Sequence, residues 1–189
     1  KFKAAFGRHN VLHTHAFPLI DSPLVNAALL GEEGLNDVGA SASALLPAPW
    51  FAEFTLQGLA GKSAPFFGSL NPNHLAGVAQ LKNQLDLTDD ATIELNVFGT
   101  MGRNKYESKS FVYGSDLTLK WRPSVGGKYQ ALAWTTEYLN GQIGGNAIGG
   151  TPAFGSRLGG LATWLQYQFA ERWWVQGRVE FLGLPHAKE

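Results

Sequence analysis

The sequence predicts an all-β fold: an antiparallel up-and-down β-barrel whose strands cross a membrane. Three observations lead to this. Apolar and polar residues alternate with period two over most of the chain, the repeat of a strand with two unlike faces. The connections between these stretches alternate short and long, which gathers tight turns at one end of the sheet and loops at the other. Aromatic residues close the apolar stripe beside the short turns, whereas a soluble core concentrates them mid-strand.

About nine strands are expected, taken in chain order. Residues 1–8 read as a partial first strand. Residues 37–46 are small and alternating, with Val38, Ala40, Ala42, Ala44 and Leu46 on one side. From Trp50, Ala52, Phe54 and Leu56 oppose Glu53, Thr55 and Gln57. Over 75–87, Leu75, Gly77, Ala79, Leu81, Leu85 and Leu87 oppose Gln80, Lys82, Gln84 and Asp86. From Ala91, Ile93, Leu95 and Val97 oppose Thr92, Glu94, Asn96 and Phe98. In FVYGSDLTLKWR (111–122), Phe111, Tyr113, Leu117, Leu119 and Trp121 oppose Val112, Asp116, Thr118, Lys120 and Arg122. Over 129–139, Leu132, Trp134 and Tyr138 oppose Ala133, Thr135 and Glu137. Over 161–169, Leu161, Leu165, Tyr167 and Phe169 oppose Ala162, Trp164, Gln166 and Gln168. In RWWVQGRVEFL (172–182), Trp173, Val175, Val179 and Phe181 oppose Gln176, Arg178 and Glu180.

Short turns fall at Pro47–Pro49, Thr88–Asp90, Pro123–Gly127 and Ala170–Glu171. The longer connections are 9–36, 59–73, 102–109 and 140–156. The last is too rich in glycine for a helix. In the first, only 22–33 suits a short helix. Bacterial single-chain barrels close with an even number of strands. The segment therefore reads as part of a larger barrel, either a mature segment or an internal fragment.

Composition narrows the function classes. Charged residues make up 16% of the chain, below the roughly 25% of an ordinary soluble domain. Fifteen Lys and Arg balance fifteen Asp and Glu, so no basic field invites nucleic acid. There is no cysteine, which removes disulfides, thiolate metal sites and cysteine nucleophiles. No apolar run approaches the roughly 18 residues of a membrane helix, and no signal-peptide pattern follows Lys1.

Alternation alone does not say which face meets water. The membrane reading turns the apolar stripe toward lipid, with Trp50, Trp121, Phe169 and Trp173 as an aromatic girdle. It makes Glu53, Lys82, Glu94, Asp116, Lys120, Arg122, Glu137, Arg178 and Glu180 line a watery lumen. The soluble alternative reverses the faces and makes these charges the outer surface of a β-barrel binding module.

Four stretches carry a resemblance: KFKAAFGRHNVLHTHAFPLIDSPLVN, GLNDVGASASALLPAPWF, YGSDLTLKWRPSVGGKY and ATWLQYQFAERWWVQGRVEFLGLP. Together they resemble a family of Gram-negative outer-membrane β-barrels. These are porin-like and are sometimes labelled zinc-regulated TonB-dependent outer-membrane receptors. The similarity runs over nearly the whole chain, and FGRHN…LHTHAFP and DLTLKWRP are its most specific parts. The opening KFKAAFG is also similar to a strand of phosphate-selective porins. The resemblance implies a barrel in the bacterial outer membrane and a role in solute passage.

His9, His13 and His15 lie within seven positions at the start of the first long loop. In extended chain, His13 and His15 point the same way and could share a Zn²⁺, with Asp21, Glu32 or Glu33 completing the site. The alternative is a loop packed into the pore mouth, its histidines against wall carboxylates such as Glu53 or Glu94. Such neighbours favour protonated imidazole and predict gating near pH 6. The apolar content of 9–36 predicts that the loop folds against the lumen wall.

No catalytic set is expected. Asp116, Lys120, Arg122 and Glu137 read as a charged pore wall rather than an acid–base cluster, since no serine sits in an activating context. GQIGGNAIGG does not lead a strand into a helix, and Gly61-Lys62-Ser63 lacks the first glycine of a P-loop. The sequence thus points to a pore passing small hydrophilic solutes, its mouth constricted by 9–36, with lipid and solute as partners and self-association into a homo-oligomer open. Two alternatives stand beside it: a TonB-dependent-type receptor for zinc or a metal complex, and the soluble binding module.

Overall fold

The computed structural model describes residues 1–63, 67–144 and 157–184. Among these residues, eight antiparallel strands form one meander in sequence order. They are β3 (Gly39–Leu45), β4 (Phe51–Leu59), β5 (Ala76–Thr88), β6 (Ala91–Arg103), β7 (Lys109–Trp121), β8 (Ala131–Ile143), β9 (Arg157–Ala170) and β10 (Trp173–Leu184). Among the described residues the sheet is open, with β3 and β10 at its edges. The fold is all-β and antiparallel, as the alternation predicts, and closure into a barrel is not seen in this segment.

Several strands run further than their sequence pattern. β8 extends to Ile143 and takes 140–143 from the expected loop 140–156, and β9 begins at Arg157, ahead of its sequence pattern at 161. Residues 145–156 of that loop lie outside the described residues, as do 64–66 of loop 59–73 and the end of the chain, 185–189. The expected 102–109 loop shrinks to a hairpin connection over 104–108, because β6 and β7 stay in register up to the Arg103–Lys109 pair.

The partial first strand is corrected. Only Phe2–Lys3 (β1) is extended, and it pairs with Asn36–Asp37 (β2) in a separate two-stranded ribbon. The chain then turns into helix α1 (Gly7–Asn10). Two forces draw it away from the sheet edge. Phe6 is fully buried and packs edge-on against Phe98, with ring centroids 4.7 Å apart. Gly7 takes a φ of +71°, and a Cβ there would lie 2.9 Å from the Phe98 ring and 3.0 Å from Glu137 Oε2, so only glycine permits this approach.

Loop 9–36 holds a 3-10 turn (Thr14–Ala16) and helix α2 (Leu24–Leu30), inside the stretch expected to be helical. Segment 4–35 lies over the sheet, with α1 against β6 and β7 and α2 against β8, β9 and β10. The core lies between them. Phe6, Val25, Leu29 and Leu35 of the segment bury against Leu59, Val78, Phe98, Val112 and Leu139 of the sheet. At Gly160 of β9 a Cβ would come within 3.0 Å of Val25, so the missing side chain seats α2.

The two sheet faces follow the sequence pattern. The face under the segment carries Glu53, Lys82, Glu94, Asp116, Lys120, Glu137, Arg178 and Glu180, and Arg122 follows the end of β7. The other face carries the apolar stripe and nothing covers it among the described residues. Leu95 is 43% exposed, Val179 72% and Trp173 67%. The four expected girdle residues all sit at the short-turn end. Trp121 is in register with Ala91 and Leu132, Trp173 pairs with Ala170, Phe169 lies one residue before it, and Trp50 immediately precedes β4.

Candidate functional site

The wall charges divide into two groups. Glu94, Asp116 and Glu137 are buried under the segment, and Arg178 and Glu180 are largely covered. Glu53, Lys82, Lys120 and Arg122, toward the short turns, are more open. Lys82 sits 5.9 Å above the Phe51 ring, and the backbone N–H of Arg122 donates to the Asp90 carbonyl.

Each covered acid except Asp116 holds the segment. Glu94 accepts a hydrogen bond from Arg8 at 2.9 Å and pairs on its other oxygen with Lys120. Glu137 accepts from the backbone N–H of His9 at 3.0 Å and from the Asn26 amide at 2.6 Å. Glu180 accepts from the backbone N–H of Leu24, the first residue of α2, where a helix leaves its N–H groups unpaired. Arg178 pairs with Glu180 and with Asp21, donating to the Asp21 carboxylate at 2.8 Å and its carbonyl at 2.9 Å. On β4, Gln57 accepts from Ala5 N–H at 2.9 Å. Within the segment, Asn10 clamps both ends: its amide donates to the Ala4 and Leu35 carbonyls, and its carbonyl accepts from Leu35 N–H at 2.7 Å.

Asp116 and Glu137 face each other directly in register. Asn96 donates to Asp116 Oδ1 at 2.7 Å, while Asp116 Oδ2, Asn96 Oδ1, Asn26 Oδ1 and His9 Nε2 are buried without a partner among the described residues. Such a run of unmet polar atoms suits internal water.

The three histidines do not form one group. His9 is buried, its ring 4.2 Å from Phe17 and 6.2 Å from Trp164. Burial, followed by the nearby charges of Arg178 and Lys3, pushes its pKa down to about 4. This reverses the expectation of a protonated imidazole. The wall carboxylate takes the His9 backbone N–H and leaves the ring among aromatics. His13 and His15 are exposed and stacked, centroids 5.7 Å apart. Of the expected supporting acids, Asp21 is engaged by Arg178, Glu33 stands 3.9 Å from Lys1, and Glu32 is exposed. Among the described residues no three His, Asp or Glu side chains gather around a common point.

One cluster escaped the sequence reading. Ser69 Oγ lies 3.0 Å from His74 Nδ1 and 2.8 Å from Glu107 Oε1, and His74 Nδ1 lies 2.5 Å from Glu107 Oε2. The residue types match a hydrolase set, but serine and glutamate both meet the same imidazole nitrogen. A catalytic relay needs them on opposite nitrogens. The Ser69 hydroxyl bond holds the Glu107 carboxyl below its ordinary range. The cluster staples the 67–75 connection to the β6–β7 hairpin.

No family model matches the chain, and no solved structure matches it. The chain is similar to an uncharacterized protein of Aquifex aeolicus (strain VF5), 28% identical over 203 residues. That alignment covers 92% of this chain and 41% of the relative, so the chain spans about two-fifths of the length of the protein it matches.

Proposed function

We propose that this chain forms part of the wall of an outer-membrane pore that passes small hydrophilic solutes, with segment 4–35 narrowing the passage. One observation carries the reading: the segment covers the charged face of the sheet and leaves the apolar face bare. Water-filled barrels have this inverted arrangement. The dimensions agree. From Trp121 to Phe111 the stripe spans eleven residues of β7, ten steps that cover roughly 25 Å of membrane at about 3.3 Å per residue and a tilt of about 40°. No helix among the described residues is long and apolar enough to cross a membrane, so crossing falls to the strands. The resemblance to porin-like outer-membrane barrels points the same way.

The segment leaves Glu53, Lys82, Lys120 and Arg122 beside open space on the polar face. Charges of both signs there favour hydrated solutes over apolar ones. The test uses the full-length protein extracted from membranes and reconstituted into planar bilayers. Discrete conductance steps are expected, with liposome swelling in small sugars. A protein that stays monodisperse without detergent would support the soluble module instead. Conductance that responds only to Zn²⁺ would support the receptor reading, with His13 and His15 as the first residues to replace.

A further inference from the structure

At the loop end of the apolar face, Arg103 of β6 and Lys109 of β7 stand directly opposite each other in register. Like charges facing across a sheet oppose pairing. No carboxylate lies within ion-pairing distance of either side chain among the described residues. Arg103 donates to the Glu107 carbonyl, and the Glu107 carboxylate is taken by His74 and Ser69. A third cation of the same hairpin, Lys105, rests over the Tyr106 ring.

Directly below this pair the apolar face is hollow. A cleft of about 760 Å³ is bounded by Leu75, Met101 and Phe111, with Arg103 and Lys109 at its rim. It adjoins a second hollow of about 680 Å³, floored by Gly58 and Gly77. Met101 and Phe111 face each other one register row below the cations. The result is a groove of apolar walls ending under two unpaired positive charges, on the face assigned to lipid.

We propose that this groove binds one phosphate-bearing acyl lipid of the membrane, its phosphate between Arg103 and Lys109 and an acyl chain lying in the cleft across β5–β7. The proposal rests on the membrane reading above. Charge complementarity selects the occupant: a zwitterionic lipid brings its own cation to a rim that already lacks an anion. Free phosphate would leave the apolar groove unfilled.

The test takes the full-length protein in detergent and measures retained lipid by native mass spectrometry. The probes are lipid A, dephosphorylated lipid A, phosphatidylethanolamine and inorganic phosphate. Lipid A is expected to bind and the dephosphorylated form to bind far more weakly. Each cation near a membrane surface contributes about fivefold, so the R103Q/K109Q double variant should weaken lipid A binding about 30-fold. G77L should fill the groove and abolish binding without harming assembly, because a Cβ at Gly77 meets nothing within 4 Å. Equal binding of the two lipid A forms, or no effect of either variant, would overturn the proposal, as would inorganic phosphate displacing lipid A. A detergent-dependent protein that ignores lipid phosphate would refute this inference alone. A protein soluble without detergent would refute the membrane reading and this inference with it.

Discussion

Glu137 is the residue on which docking of the N-terminal segment most depends. It is fully buried and accepts from two donors 111 and 128 positions away in sequence, Asn26 and His9. Glu137→Leu keeps similar bulk and removes both acceptors. A buried donor left unpaired costs about 1–3 kcal/mol, so the two cost about 2–6 kcal/mol. Removing the charge that faces Asp116 works the other way, but like charges opposed across a sheet cost only about 0.2–1 kcal/mol. The sign stands. Even 2 kcal/mol shifts the docked-to-open ratio by about 30-fold.

The sheet does not share this dependence, because β7 and β8 are held by their own ladder. Hydrogen exchange on the full-length protein in lipid nanodiscs should therefore show α2 amides exchanging about 30-fold faster, with β7 amides unchanged. Single-channel conductance should rise as the segment lifts. Glu53→Leu, on the same face with only a 3.5 Å contact to Thr55, should change neither. Normal α2 exchange in Glu137→Leu would refute the idea that wall carboxylates hold the segment.

Three more outcomes follow from the same geometry. Leu95→Arg or Leu117→Arg should block membrane assembly, at a cost of about 2–4 kcal/mol near the midplane, while Gln166→Arg on the polar face should assemble; equal yields of folded protein in the outer membrane would contradict the facing. Since the chain has no cysteine of its own, one introduced at Ser63 should react with an impermeant thiol reagent on whole cells and one at Ser124 should not; the opposite labelling would invert the topology. His9 is neutral when docked, and its pKa falls from about 6.5 to about 4, so acid weakens docking. The loss begins below about pH 6.5, levels off near 4, and reaches about 3 kcal/mol at one pKa unit per 1.36 kcal/mol. The protection factors of α2 amides, that is exchange corrected for its intrinsic pH dependence, should fall in that window as pH is lowered from 8 to 4, and His9→Phe should flatten the profile.

The strands were legible because alternation is local. Leu117 and Thr118 differ in face by the geometry of one residue, and nothing distant needs to be known. The position of the aromatics beside the short turns was legible for the same reason, since Trp121 and Trp173 border their own turns. The segment was legible only in part. Its apolar content said that 9–36 folds against something, and α2 appeared where a helix was expected. Its partners were hidden, because Arg8–Glu94 and His9–Glu137 join positions 86 and 128 apart and no local pattern encodes that. One signal was available. Val78, Phe98, Val112 and Leu139 are apolar residues on the charged face, and they cluster at one height when the strands are laid in register. That patch is where Phe6 and Leu29 dock.

The docking patch also bears on the uncovered face. Segment 4–35 carries Phe6, Val25, Leu29, Leu30 and Leu35, enough apolar surface to shield several strands, and buries all of it on the charged side. More than a dozen large apolar residues on the opposite face remain exposed, Phe54, Leu56, Val97, Val175 and Val179 among them. Burying such a side chain fully is worth about 1.5–3 kcal/mol, so leaving each about half exposed forgoes roughly 1 kcal/mol. The sum exceeds 10 kcal/mol, comparable to the whole stability of a typical domain, about 5–15 kcal/mol. In water, a fold that placed the segment on the apolar face would recover much of that energy, and it would release Glu94, Glu137 and Glu180 to solvent as well. The observed arrangement fits the proposed pore wall, in which lipid would cover the apolar face and a narrow aqueous space would lie on the charged side.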